Sequence, residues 1–362
     1  MQALILVGGE GTRLRPLTLT VPKPVVPLVD RPFIRYMIEW LARHGVDDIV
    51  LACGFLAAGV RDVLGEGGGG GPRLRYVEEP DARGTAGAIK FAESLLDDRF
   101  LALNGDVLTD LDLTALIELH EQRDARATLA LYPVGDPSAY GLVRRREGGE
   151  ITEFLEKPEP EEIDTDEVNA GAYVLDKSIL DLVPDGREVS IEREVFPRLV
   201  GDGLFGRRLP GYWMDIGTPD RYLQASWDIL ERRVETEVGA LVDGDGLAID
   251  ADTRVDDGAE IAPPAFLEHR ARVADGARVG ARAVLGPGCE VEEGAVVEGS
   301  VLHRGCSVGR DARVSGAIIA GGVEVGERAT VGDGAVVGEG ARIAAGTEVA
   351  EDGRVDPAAT VQ

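Results

Sequence analysis

From Ile249 onward, aliphatic residues recur every six positions, at Ile249, Val255, Ile261, Leu267, Val273, Val279, Leu285, Val291 and Val297. After a five-residue step the series resumes at Leu302, Val308 and Val314, and after a second it continues from Ile319 to Val349. A small residue stands two positions before most of them, as at Ala271, Ala277, Ala283, Ala295, Ala312 and Ala329. So short a period specifies a solenoid, because each unit buries its apolar face only by stacking on its neighbours. Three units to a turn make a triangular coil, and the eighteen units give about six turns of parallel β-helix. Cys289 and Cys306 take the small-residue position three units apart, so they should stack on adjacent coils.

The period is absent before Ile249, where strands and helices alternate instead. We expect a catalytic domain over 1–234, a linker over 235–248 and the β-helix over 249–362. The chain has 362 residues, 44% of them hydrophobic, enough for two cored domains. Its net charge of −27 argues against binding the nucleic-acid backbone or an anionic membrane. No apolar run approaches a membrane span and the start shows no signal-peptide pattern, so a cytoplasmic protein is expected. Cys53, Cys289 and Cys306 form no metal spacing and read as reduced structural residues.

The first domain opens with Leu4–Pro24, reading LILVGGEGTRLRPLTLTVPKP. A short buried strand that includes Leu6 runs into Gly8, Gly9 and Gly11, which leave backbone amides open to an anion. Thr12, Arg13, Arg15 and Lys23 follow, supplying cations for phosphate oxygens. The spacing is neither a P-loop nor GxGxxG, since Leu14 stands at the third glycine. Further on, apolar spacing predicts a helix over Pro32–His44 and strands at Ile49–Cys53, Leu74–Val77, Phe100–Leu103 and Ala127–Pro133. The five-glycine run Gly67–Gly71 reads as a mobile surface loop, and His120 as a surface or helix-end residue.

Four strand ends carry chemistry. Glu78 and Glu79 precede Gly84-Thr85-Ala86-Gly87, which opens a helix, and Asn104-Gly105 delivers Asp106 at a strand tip, where open parallel sheets bind ligands. A hairpin from Gly141 ends in Glu156-Lys157-Pro158, and Asn169-Ala170-Gly171 begins the next strand. Asp215 lies between an aromatic-rich strand and a helix capped by Thr218.

The run Gly8-Gly9-x-Gly11-Thr12-Arg13-Leu14-x-Pro16-Leu17-Thr18 with Pro22-Lys23-Pro24 resembles the signature of the sugar-1-phosphate nucleotidyltransferases. The resemblance extends over the whole chain, and it implies a mostly parallel Rossmann-like α/β domain followed by a left-handed β-helix. It also implies transfer of a nucleotidyl group from an NTP to a sugar 1-phosphate, with Mg2+ as cofactor. Carried over residue by residue, it makes Asp106 and Asp215 the metal ligands, with Arg13 and Lys23 as catalytic cations. Leu6, Gly8, Gly9, Gly11, Thr12, Glu79, Gly84, Thr85 and Ala86 then face the nucleotide, and Gly141, Glu156, Lys157, Asn169 and Gly171 the sugar phosphate. The likeness is strongest to members that use GTP and mannose 1-phosphate, and Glu79 suits the two donors on the Watson–Crick edge of guanine. The segment Ser190–Pro197 resembles a family helix, with Arg193 where lysine is more usual, and receives no catalytic role.

Other readings stay open. A glucose nucleotide made from dTTP, UTP or ATP keeps the mechanism, a catalytically inactive regulatory subunit keeps only the fold, and a hexapeptide-repeat acyltransferase would need a base from His269 or His303. We read both histidines as structural and expect self-association through the β-helix, with no nucleic-acid or membrane partner.

Overall fold

Among the described residues nine strands form one sheet, and its parallel part sets out the first half of the site. These are β1 (Gln2–Val7), β2 (Asp48–Cys53), β3 (Arg73–Glu78), β4 (Arg99–Asn104), β5 (Ala127–Pro133), β6 (Gly141–Arg145), β7 (Ile151–Glu156), β8 (Glu167–Asp176) and β9 (Leu204–Arg208). In this computed structural model residues 1–54, 56–67 and 70–362 are described. The strand order is β7-β6-β8-β4-β1-β2-β3, with β5 on β8 and β9 on β5.

Strands β3, β2, β1 and β4 are mutually parallel neighbours, as alternating strand and helix patterns require. On the other flank the sheet is mixed: β8 runs antiparallel to β4, β5 and β6, while β9 joins β5 in parallel. The strand over Ala127–Pro133 thus belongs to the flank rather than to the parallel core. Hairpin β6–β7 falls where the apolar runs and the polar turn place it.

Between the strands run α1 (Phe33–Arg43), α2 (Ala57–Leu64), α3 (Gly84–Phe91) and α4 (Leu113–Arg123), and α5 (Pro219–Leu230) follows the sheet. Helix α1 buries Phe33, Tyr36, Met37, Trp40 and Leu41, and the Trp40 indole N–H donates to the Leu111 carbonyl at 2.9 Å. Asp112 caps α4 by accepting from Thr114 N at 2.9 Å. His120 lies in the last turn of α4 but is wholly buried, its Nδ1 3.0 Å from the Thr128 hydroxyl, so the surface expectation fails. Of the glycine run, Gly68 and Gly69 lie outside the described residues.

By contact density the chain divides into two units, Met1–Gly9 with Ile34–Trp213, and Glu10–Phe33 with Met214–Gln362. The second unit contains the solenoid, built of three parallel sheets of seven, seven and six two- or three-residue strands. Successive coils pair in register, as Val273 with Val291 and Val291 with Val308. The bore is lined as the period requires, by Val279, Leu285, Val297, Val314, Val331 and Val337 together with Ala277, Ala295 and Ala312. Cys289 and Cys306 lie in it on adjacent coils, each thiol donating at 3.0 Å to a carbonyl, of His303 and Ala320 respectively. The series continues two units beyond Val349, at Val355 and Val361. At the first coil Ile249 and Val255 are exposed, because no preceding coil covers them. Among the described residues no helix is long and apolar enough to cross a membrane.

Candidate active site

Because β1 to β4 run in parallel, their carboxyl ends share one edge of the sheet. Gly8 and Gly9 follow β1, Glu79 follows β3 and Asp106 follows β4. The loop after β4 is tied to β1 by a hydrogen bond of 2.9 Å from Gly105 N to the Leu6 carbonyl, so Asp106 is presented beside Leu6. Glu79 N donates to Cys53 O at 2.9 Å, and its carboxylate leans over Gly8, where a Cβ would sit 3.6 Å from Oε1. Glu78 is exposed and Glu79 half-buried; burial raises the Glu79 carboxyl above the ordinary glutamate range, against the pull of Arg83.

Helix α3 begins at Gly84 as the sequence indicates, but its first turn is engaged by protein. The amides of Ala86 and Gly87 donate to the Val189 carbonyl at 2.9 and 3.2 Å. A Cβ on Gly84 would lie 2.7 Å from that same oxygen, so the glycine is required by the passing chain. The Thr85 hydroxyl donates to Glu192 Oε2 at 2.7 Å and accepts from Ile191 N at 2.8 Å.

The residues expected on the sugar side lie on the flank strands of the same unit. Glu156 lies over Gly141, where a Cβ would be 3.0 Å from Oε2. Burial, then the charge of Glu192, raises its carboxyl, opposed by Lys157 and Arg193. Lys157 is exposed with a φ of 54°, held there by its amide bonding Tyr140 O at 3.0 Å. The register of β8 on β5 shifts between Asn169 and Tyr173. In that bulge Asn169 Oδ1 accepts from Gly171 N at 3.0 Å, and its Nδ2 donates to the Tyr173 hydroxyl at 2.8 Å. Gly171 has a φ of 72° and abuts Asn104, two residues before Asp106.

The second unit gathers the cations. Gly11 abuts Lys23, with a virtual Cβ 3.0 Å from the lysine Cβ, and its carbonyl accepts from the Thr18 hydroxyl at 2.8 Å. Thr12, Arg13 and Leu14 form a single 3-10 turn that leaves Thr12 and Arg13 exposed. The Arg13 guanidinium lies over Gly217, beside Asp215. Asp215 ends the short strand Trp213–Asp215 and accepts from Arg221 Nη1 at 2.8 Å; Thr218 caps α5, with Pro219 at its first position. Arg15 is spent on Glu10 at 3.1 Å. Asp106 and Asp215 belong one to each unit.

The model of the "Nucleotidyl transferase" family matches residues 2–232, almost two thirds of the chain. The chain belongs to the nucleotidyl transferase family. A second model, "GMPPB C-terminal domain", matches residues 247–362. A mannose-1-phosphate guanylyltransferase of Mycobacterium tuberculosis is 38% identical over 82% of this chain and 83% of its own. A UTP--glucose-1-phosphate uridylyltransferase of Synechocystis sp. is 32% identical over 83% and 82%. Among solved structures, HddC from Yersinia pseudotuberculosis complexed with GMP-PN has a TM-score of 0.54 and 28% identity, covering 62% of this chain and 97% of that one.

For a nucleotidyl transferase, one residue here was not foreseen. Glu192 lies in a π-helical turn, Ile191–Val195, and Oε2 also accepts from the Ser190 hydroxyl at 2.7 Å. Ser190 before two acidic residues reads in sequence as an ordinary helix start, and its hydroxyl does accept from Arg193 N at 3.3 Å. The π geometry was the available signal only once the fold was known. The donor chemistry suits a divalent metal: two aspartates offer hard oxygens, and magnesium is held by one or two carboxylates with phosphate oxygens and water. Among the described residues no cluster of three acidic, histidine or cysteine side chains forms a self-sufficient cation cage. His303, buried, is structural: the Tyr222 hydroxyl donates to Pro27 O, so His303 Nε2–H donates to the Tyr222 oxygen at 2.9 Å.

Proposed function

We propose that this chain is a cytoplasmic enzyme that makes GDP-mannose and pyrophosphate from GTP and mannose 1-phosphate. The observation that carries the choice of base is Glu79, half-buried against Gly8 at the sheet edge: one carboxylate accepts both donors of guanine, which thymine and uracil do not present. The likeness to the Mycobacterium tuberculosis guanylyltransferase supports the same pair of substrates.

In this reading a phosphate oxygen of the sugar attacks the α-phosphorus in line and pyrophosphate leaves, without a covalent enzyme intermediate. Arg13 and Lys23 stabilise the charge that develops on the α-phosphate and the leaving group, and Lys157 orients the nucleophile. Glu156, Asn169 and the backbone at Gly141 and Gly171 bond the sugar hydroxyls. Asp106 and Asp215 hold Mg2+, which when bound neutralises phosphate charge. The solenoid carries self-association between copies, supported by the exposed Ile249 and Val255 at its first coil and Leu241 in the turn before it; light scattering that returns a monomer removes that part.

The test is pyrophosphate release with Mg2+ across GTP, UTP, dTTP and ATP, each with mannose 1-phosphate and glucose 1-phosphate. GTP with mannose 1-phosphate is the expected pair. A preference for UTP with glucose 1-phosphate, the second reading suggested by the Synechocystis relative, keeps the mechanism and replaces the substrates. No release from any pair by folded protein leaves the regulatory subunit.

A further inference from the structure

The segment that carries Lys23 leans on the solenoid through two side chains. Tyr222, in the first turns of α5, is buried, and its hydroxyl donates to the Pro27 carbonyl. The same hydroxyl lies 2.9 Å from Nε2 of His303, which follows the solenoid strand Val301–Leu302. His303 is itself fixed by the coils on either side: its amide donates to Ile319 O at 2.8 Å, and its carbonyl accepts from the Cys289 thiol at 3.0 Å. All of these residues belong to the second unit, which also takes in Glu10–Phe33.

Each proton in this chain of bonds has one place. A carbonyl oxygen only accepts, so the Tyr222 proton points at Pro27, and the Tyr222 oxygen is left to accept from His303. Burial pushes the imidazole down to about 4 and keeps it neutral, and the single proton of the neutral ring then stands on Nε2. The solenoid therefore presents a donor, and α5 a hydroxyl that passes the restraint on to the loop.

Pro27 is placed to transmit that restraint to Lys23. Pro27 and Leu28 pair with Pro32 and Arg31 in a two-stranded ladder, and Phe33 N donates to Val26 O at 3.0 Å. Val26 N in turn bonds the Lys23 carbonyl at 3.2 Å, closing the 3-10 turn Lys23–Val25. Lys23 and Tyr222 also line one crevice, together with Leu14, Val26 and Phe33. A tyrosine needed only for packing would be replaced equally well by phenylalanine, whereas this hydroxyl joins a solenoid donor to a loop acceptor.

Resting on the reaction proposed above, we propose that Tyr222 is a positioning residue for Lys23, and that the solenoid, through His303, helps to set the catalytic rate as well as carrying self-association. Losing the hydroxyl leaves the Pro27 carbonyl without its partner and frees the loop, and a displacement of about 1 Å at a group facing the reacting phosphates costs on the order of a hundredfold in rate.

The experiment measures pyrophosphate release by the full chain with Mg2+ and the nucleotide and sugar phosphate that the wild type prefers, well below the melting temperature of each variant. Tyr222→Phe should lower kcat about tenfold to a hundredfold and leave KM for the sugar phosphate within about twofold, because no sugar-side residue belongs to this chain of bonds. His303→Leu should lower kcat in the same direction, and His303→Gln, which keeps a donor, should restore most of it. In a Lys23→Ala background Tyr222→Phe should change the rate by less than about twofold, since a residue that acts through Lys23 then has nothing left to place. Thermal melting selects the folded variants, and the two His303 variants carry the test if Tyr222→Phe does not fold or Lys23→Ala leaves no rate to compare. A wild-type kcat in folded Tyr222→Phe overturns this inference alone, as do losses that multiply in the double variant or equal rates in His303→Leu and His303→Gln. A Lys23→Ala protein as active as the wild type overturns the role given to Lys23 and this inference together, as does a wild-type protein that releases pyrophosphate from no pair.

Discussion

The guanidinium of Arg13 rests on Gly217: a Cβ at position 217 would stand 2.5 Å from Arg13 Nη2 and 3.1 Å from Asp215 Oδ1. One glycine therefore sets where the cation proposed for catalysis sits beside the carboxylate proposed to hold the metal. Gly217→Ala should push the flexible end of Arg13 aside without disturbing the backbone. We expect the melting temperature to stay within about 2 °C, a change below 1 kcal/mol, while kcat falls on the order of tenfold to a hundredfold. A variant that melts normally and turns over normally removes the role given to Arg13.

Asp106→Asn keeps the size of the side chain and removes its charge at the β4 tip. Its expected loss in kcat/KM is about 10²- to 10³-fold, as for other groups facing developing charge, with a raised Mg2+ requirement and unchanged far-ultraviolet dichroism. Equal activity at every Mg2+ concentration would exclude Asp106 from the metal site.

In the role proposed for it Glu79 accepts from guanine only as a carboxylate, and burial raises its carboxyl in the folded protein. The KM for GTP should therefore climb as the pH is lowered into the window just above the ordinary glutamate value, and remain flat well above it. Glu79→Gln should raise the KM for GTP about tenfold or more at neutral pH and flatten that rise. An unaltered ratio of GTP to UTP turnover in the variant would transfer base recognition elsewhere.

Two buried histidines should shape stability against acid. Burial pushes both His120 and His303 down to about 4, below the ordinary 6.5 of an unfolded histidine. Between those values the unfolded chain binds more protons than the folded one, so stability falls as the pH drops from about 6.5 towards 4. His303→Gln, tested by melting across that range, should flatten part of the decline; a pH dependence identical to wild type would show that the imidazole is not the titrating group.

All three cysteines are free and buried. A thiol reagent such as DTNB should find none in the native protein and all three after denaturation. Rapid labelling of Cys289 or Cys306 before unfolding would show that a coil opens in the native state, and rapid labelling of Cys53 that the end of β2 does.

The solenoid was legible because its period is short and its rule local: a coil's core residue is decided by the coil beside it, as Val291 by Val273 and Val308. Ile249 and Val255 obey the same spacing yet are exposed, since a repeat says nothing about where the stack ends. In the first unit, Asp106 and the β4 tip could be read from one apolar run and the loop after it. Glu192 could not, because Thr85 stands 107 positions away and only the fold joins them. Gly84 and Gly87 resemble a ligand loop in sequence, and the structure adds a packing reason that sequence does not carry: the chain at Arg187–Val189 passes so close that neither position has room for a side chain. His120 stands at the helix end as expected, but its burial could not be read for a related reason, its partner Thr128 lying on the next strand, out of reach of any reading of α4 alone.

Register between coils is kept by units of six and twice by a step of five, and each coil pairs only with its two neighbours. Deleting or duplicating one full circuit would leave every remaining lateral contact of the same kind as before. The length of the solenoid is thus a quantity that evolution can adjust in whole circuits, and relatives should differ there by multiples of about 18 residues rather than by scattered insertions.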